Sequence, residues 1–283
     1  MFRKKTIAFL IFICVATVFA ATTFASEREE FHEVYPIRSG VKIEIDNVNG
    51  LVDVRTWDRD EVEVHAVKKT SGDRDDLDRA NIEVKTGDVM TIKTIHHRRD
   101  NDDDTFFKRF FRGLSFSGKG VSVDYTINIP ESALLSRAKT TNGKINVVGT
   151  RGDAILRSTN GNVYAEDIVG TVDVHTTNGN IEIAGETVVT DARTTNGGIR
   201  ATVPDEIDRD LTYRTTNGSI TLSVSSDMDA RVDLRTTNGS VRMDDFTITM
   251  ESSSKRSITG SLGSGGSTIK ASTTNGSVRL EKK

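Results

Sequence analysis

Residues 139–179 read KTTNGKINVVGTRGDAILRSTNGNVYAEDIVGTVDVHTTNG, and this one stretch writes Thr-Thr-Asn-Gly three times, with Ser158 for the first Thr of the second copy. The motif continues down the chain, centred on Asn142, Asn160, Asn178, Asn196, Asn217, Asn238 and Asn275. Its steps are 18, 18, 18, 21, 21 and 37 residues. A nearly fixed period of about 20 residues marks a solenoid, in which each repeat is one coil laid on the last.

Aligning the copies on Asn reveals apolar columns. Three residues after it stand Ile145, Val163, Ile181, Ile199, Ile220, Val241 and Val278; five after it stand Val147, Ala165, Ile183, Ala201, Leu222, Met243 and Leu280. Four before it stand Ala138, Leu156, Val174, Ala192, Tyr213, Leu234 and Ala271. Each flanking segment therefore alternates apolar with polar, the period of a strand with one buried face. Burial of each large aliphatic contributes about 1.5–3 kcal/mol, so these columns form the core. Ile45, Val52 and Val54 hold the same offsets around Asn49-Gly50. Further alternating segments at 62–67, 82–95 and 121–129 read as strands, which extends one domain over residues 26–283.

Asn-Gly is a turn dipeptide: Gly accepts positive φ freely, and Asn tolerates it better than other side chains. Stacked corners about 4.8 Å apart would let the Asn side chains form a hydrogen-bonded ladder, with the Thr two residues earlier capping it. The same dipeptide between alternating strands is also the strongest hairpin signal, so a meander of β-hairpins is the rival fold. Two-residue loops would set Arg193 opposite Arg200 and Arg235 opposite Arg242, and like charges directly opposite are destabilising. The solenoid of 18–21-residue coils avoids that conflict.

Residues 1–25 carry a basic start (Arg3, Lys4, Lys5), an apolar run over 7–21 and a small-residue site at Thr23-Phe24-Ala25, the pattern of a cleaved signal peptide. The sole cysteine, Cys14, lies within that leader, so the mature chain has no disulfide. Loss of the leader takes the formal net charge from −3 to −6, which argues against a general nucleic-acid binder. Valine, isoleucine and threonine dominate the ordered-looking parts, and only three prolines interrupt them. The fold class is all-β.

The exported leader, the segment VSVDYTINIP at 121–130, the repeated TTNG followed by Ile or Val, and the ending ITGSLGSGGSTIKASTTNGSVRL at 258–280 together resemble the bacterial "putative adhesin" β-strand-repeat family. The resemblance covers essentially the whole mature chain. It implies an extracytoplasmic, right-handed single-stranded β-helix at the cell surface or in the periplasm, and it brings no catalytic residues or cofactor. Residues 96–120 fall outside the family pattern.

One column carries charge. Three residues before each Asn stand Lys139, Arg157, His175, Arg193, Arg214 and Arg235, and then Ser272. Their parity places them outside the coil, as a basic stripe roughly 24 Å long. Unit charges that close repel by about 1 kcal/mol per pair in water, so something compensates them. An anionic envelope polymer gripped by the guanidinium groups is one answer. Internal pairing is the other, because Asp173, Asp191 and Asp233 precede His175, Arg193 and Arg235 by two residues; Lys139, Arg157 and Arg214 have no such partner.

Asp173 and Asp191 on neighbouring coils would stand about 5 Å apart, near the separation used in retaining glycoside hydrolysis. Without an extra acid or an aromatic sugar platform beside them, ion pairing with Arg193 explains them more simply. His96-His97 with Asp100 and Asp102, Asp103 and Asp104 looks metal-rich, yet adjacent strand residues point to opposite faces and the acidic run lacks the Gly and distal Glu of a calcium loop. No metal site is assigned. In the insertion at 96–120, Phe106, Phe107, Phe110 and Phe111 alternate with Lys108, Arg109 and Arg112. At helical spacing the rings share one face, suited either to cap the solenoid end or to contact lipid headgroups or an envelope protein, as in envelope-stress sensing. The Ser/Gly-rich stretch at 252–267 reads as a wide loop on the last coil.

Overall fold

Period-two alternation leaves each segment one apolar face, and two such faces laid against each other bury both. The computed structural model describes residues 27–97, 120–244 and 246–283 and builds that arrangement: an all-β protein of two large sheets, one of 11 strands and one of 12. The leader at 1–25, Phe106, Phe107, Phe110 and Phe111, and the acidic run at 100–104 lie outside the described residues. From Leu134–Lys139 to Ile220–Val224 the chain passes from the 12-stranded sheet, through an Asn-Gly corner, to the 11-stranded sheet. It then returns one layer further along, so each coil lends one strand to either sheet.

Between coils the pairing is parallel and in register. Ile145, Val163, Ile181, Ile199 and Ile220 are successive partners on one sheet, and Ala138, Leu156, Val174, Ala192 and Tyr213 on the other. The three apolar columns are buried throughout, apart from Met243, which is half-buried at the edge of the stack. Tyr213 takes the inner position where neighbouring coils place Ala192 and Ala271, so large and small side chains alternate along the core. The hairpin meander is excluded for the repeats. Arg193 lies beside His175 and Arg214 in one sheet, while Arg200 lies beside Glu182 and Thr221 in the other.

The coils do not stack in chain order. The last coil, Thr268–Asn275 and Val278–Lys282, sits between the coil of Leu211–Asn217 and Ile220–Val224 and the coil of Ala230–Asn238 and Val241–Met243. The stretch at 252–267 is not a wide loop. Its strand Ser257–Leu262 pairs antiparallel with Ala230–Asn238 on the outer side and with Ile248–Ser254 beyond it. That hairpin occupies the outer edge of the penultimate coil, so the returning chain takes the inner edge. The segment expected over 82–95 is likewise a hairpin, Ala80–Lys85 with Val89–His96. At the same end Glu27–Pro36 and Glu61–Thr70 pair antiparallel and extend the other sheet through Ser122–Pro130. Antiparallel pairing is thus confined to the two ends.

The corners hold the coils together. Eight asparagines form one ladder in which each side-chain amide donates to the next Oδ1, in the order Asn238, Asn275, Asn217, Asn196, Asn178, Asn160, Asn142, Asn49, at 2.7–2.9 Å. Aligned amides polarise one another, which strengthens each bond. Positive φ accounts for only three of the eight corner glycines, Gly50, Gly197 and Gly276, at +116°, +158° and +154°. Gly143, Gly161, Gly179, Gly218 and Gly239 have no left-handed backbone, and none of the asparagines does either. Seven of the eight corner glycines lie on the carbonyl of the glycine one layer below, and Gly50 lies on that of Val123, where any Cβ would overlap the oxygen. The inner threonines do not cap the asparagines. Their buried hydroxyls donate to those same glycine carbonyls, Thr176 to Gly161 and Thr194 to Gly179 at 2.9 Å, Thr215 to Gly197 at 2.8 Å.

Close approach therefore fixes glycine at every corner, and positive φ adds to it at three. Gly179→Ala is expected to destabilise the protein by about 2–4 kcal/mol, because the methyl meets backbone that cannot step aside. Gly87→Ala, at a hairpin turn where the nearest atom is 3.8 Å from the added Cβ, is expected to change stability by less than about 0.5 kcal/mol. Urea unfolding followed by circular dichroism separates the two, and equal midpoints would refute the packing argument.

Candidate functional site

The strand before each corner points its residues alternately inward and outward, so three columns meet on one outer edge. These are the cation three before Asn, the second Thr of each pair, and the Asn ladder itself. Along this edge runs a shallow open trough of ≈ 630 Å³ crossing five coils. It is lined by His175, Arg193, Arg214, Arg235 and Ser272 together with the paired threonines that follow them. At one coil per 4.8 Å the trough is about 19 Å long. Lys139 and Arg157 continue the same register line beyond it, in contact order Lys139, Arg157, His175.

The structure places all six predicted cations on that line and corrects its order. Ser272 is not the last member but stands between Arg214 and Arg235, so the stripe carries a neutral gap there. Pairing is also redistributed. Arg193 binds Asp191 at 2.7 Å and Arg235 binds Asp233 at 2.6 Å, as the two-residue spacing predicts. His175, however, approaches Asp191 of the neighbouring coil at 3.9 Å, while Asp173 accepts from the Thr190 hydroxyl. Among the described residues Lys139, Arg157 and Arg214 have no carboxylate partner. The exposed pairs of Arg193 and Arg235 are each worth little to stability.

Asp173 and Asp191 are register partners on adjacent strands, as predicted, and both are engaged: one by a hydroxyl, the other by a guanidinium. A free carboxylate pair for acid–base work is therefore not presented here. His96 and His97 do not converge. The His96 ring is half-buried with its Nε2 unpartnered and its pKa pushed down by burial and by His97, whereas His97 bonds the Asn81 amide at 3.0 Å. Among the described residues no cluster of His, Cys, Asp or Glu is arranged to hold a metal, and no helix is long and apolar enough to cross a membrane.

One row of the trough was overlooked in the sequence. Thr177, Thr195, Thr216, Thr237 and Thr274 are exposed, and their hydroxyls make no bond among the described residues, while the inner threonines are spent on glycine carbonyls. The signal was the doubling of Thr in every copy: one residue of each pair must face out. A cation row beside a row of uncommitted hydroxyls can grip an anionic group and bond its neighbouring hydroxyls at once.

His175 makes this edge responsive to pH. Burial depresses its imidazole below the ordinary 6.5, Asp191 and Asp173 pull the other way, and Arg157 and Arg193 add to the depression. The ring is neutral at pH 7 and charges only on acidification. The unfolded chain then binds the proton more readily than the folded one, so His175 costs stability as pH falls through 6.5 toward its depressed value. His175→Gln is expected to flatten that part of the stability–pH curve, and an NMR titration should place the wild-type ring below 6.5. A midpoint at or above 6.5 would overturn the burial argument.

Among curated proteins none matches the chain. Solved structures similar to it include a "putative cell adhesion protein" from Clostridium sporogenes, 9% identical, covering 91% of this chain and 100% of that one at a TM-score of 0.40. A "putative adhesin" from Parabacteroides distasonis is 14% identical over 90% of this chain and 97% of its own, with a TM-score of 0.38. A "putative lipid binding protein" from the same species is 12% identical over 89% and 96%, at 0.26. The family described as Toastrack DUF4097 matches residues 136–281, which are the TTNG coils that build the trough, and the chain belongs to that family.

Proposed function

We propose that this protein is an exported, non-enzymatic binding module of the cell envelope, a right-handed single-stranded β-helix that lays its trough along an anionic polysaccharide. The observation that carries the reading is the column of cations in one register line, three of which (Lys139, Arg157, Arg214) have no carboxylate partner among the described residues. Like charges at coil spacing repel by about 1 kcal/mol per pair in water, and a polyanion relieves that repulsion on binding. The exposed threonines supply hydroxyl contacts of the kind a sugar needs. The basic leader and apolar run at 1–25 support export, and the two engaged aspartates support binding over hydrolysis. Neutral His175 adds a charge on acidification, so the grip tightens as pH falls.

The test is retention on immobilised polygalacturonate at low and raised salt. The wild type is expected to bind at low salt and release steeply as salt rises. Lys139→Gln, Arg157→Gln and Arg214→Gln together are expected to weaken retention about tenfold or more, since each contact is a charge-assisted hydrogen bond. Arg193→Gln with Arg235→Gln, whose charges are already neutralised, should change it less. Identical behaviour of the triple variant and the wild type would sink the proposal.

A further inference from the structure

Eight Asn-Gly pairs stand in the corner ladder, and seven of them are closed to chemistry by the same parallel stacking. In seven of the eight corners the glycine N–H points along the stack and donates to the Asn carbonyl one layer on: Gly50 to Asn142, Gly143 to Asn160, Gly161 to Asn178, Gly179 to Asn196, Gly197 to Asn217, Gly218 to Asn275 and Gly276 to Asn238, at 2.8–3.0 Å. Because the direction is the same in each, the last corner must present its N–H outward. That corner is Asn238-Gly239. Among the described residues the Gly239 N–H has no acceptor, and Gly239 is the one ladder glycine that is exposed, the other seven being half-buried.

The side chain is loosened by the same geometry. Each interior Asn both donates to and accepts from a ladder neighbour, and Asn49 at the far end accepts from Asn142 and donates to the Val121 carbonyl. Asn238 only donates, to Asn275 at 2.9 Å. The covering hairpin does not reach it. The carbonyls of Arg256 and Lys255 take the N–H groups of Thr236 and Val241 on either side and leave Gly239 between them untouched.

We propose that Asn238-Gly239 is a built-in deamidation site, the one corner of the ladder open to that modification in the folded protein. The Gly239 nitrogen gives its proton to water or hydroxide and attacks the Asn238 side-chain carbonyl carbon. The C–N bond to the side-chain nitrogen breaks, that nitrogen takes a proton from solvent, and ammonia leaves a five-membered succinimide. Water then opens the ring at either carbonyl, giving aspartate or isoaspartate. The net change is amide plus water to carboxylic acid plus ammonia, with no redox partner. Glycine favours the attack because no Cβ crowds the nucleophile. At the other seven corners the nucleophile is hydrogen-bonded and the side chain held at both ends, so reaction there requires local opening first. The product is a negative charge at the end of the ladder, three residues from Arg235 of the trough.

The experiment is incubation of the folded full-length mature protein at mildly alkaline pH, followed by peptide mapping of all eight Asn-Gly sites by mass spectrometry, with isoaspartate read by enzymatic methylation. A parallel sample is held in denaturant. In the folded sample Asn238 is expected to convert at least about tenfold faster than any other site, and in denaturant the eight rates should come together. Comparable rates across the folded ladder, a lead by any interior asparagine, or an intact Asn238 alongside eight reactive sites in denaturant would each overturn the proposal.

Discussion

The contact between stacked corner glycines is the constraint on which the rest of this protein depends. With no Cβ, successive corners close to ordinary strand spacing, and only then do the asparagine amides fall within 2.7–2.9 Å of one another. The inner threonines of the overlying coil bond the same carbonyls, so one glycine oxygen serves as both floor and fastening point. A side chain at any of these corners would push two coils apart and break the amide ladder, the threonine bond and the strand register together. That coupling explains why the tetrapeptide is repeated whole while the strands around it vary freely between Ala, Val, Leu and Tyr.

The outer edge follows from the same geometry. Fixing the corner fixes the phase of the strand before it, and phase alone decides that the residue three before Asn points outward beside the second threonine. Charges then accumulate in a line because the repeat copies the position, and their mutual repulsion is the cost of that copying. Two of the six cations answer it with an aspartate two residues earlier on their own strand, and His175 answers it by remaining neutral. The remaining three leave the edge electrostatically unfinished, and that is where a ligand of opposite charge gains most.

The solenoid and its core were legible in the sequence because both are written locally. Period-two alternation assigns Ile181 and Val174 to the interior without knowledge of any neighbour, and the 18-residue step assigns Asn160 to stand on Asn142. What escaped was everything decided between coils. Nothing near Ser272 announces that its coil lies between those of Arg214 and Arg235, since that order depends on which edge the hairpin at 248–262 covers first. The partner of His175 was misplaced for a related reason: a strand reading looks two residues along, whereas Asp191 reaches it from the next layer. The glycines were expected for only part of their cause, positive φ, which holds at Gly50, Gly197 and Gly276, because a sequence shows that a turn is needed and not what lies above and below it.

The inserted coil shows why order matters as much as composition. A parallel stack ends in unpaired strand edges, which invite further strands. Here the end carries an antiparallel hairpin, and the C-terminal strand is paired on both sides instead of fraying at the tip. Residues 225–229 must then span two layers to reach the outer coil, and the cations on either side of the inserted strand are held two layers apart. At about 9.6 Å rather than 4.8 Å, the repulsion between Arg214 and Arg235 falls by half, to about 0.4 kcal/mol in water. The spacing of charge along this surface is thus set by the order in which the coils are stacked, and no single repeat encodes it.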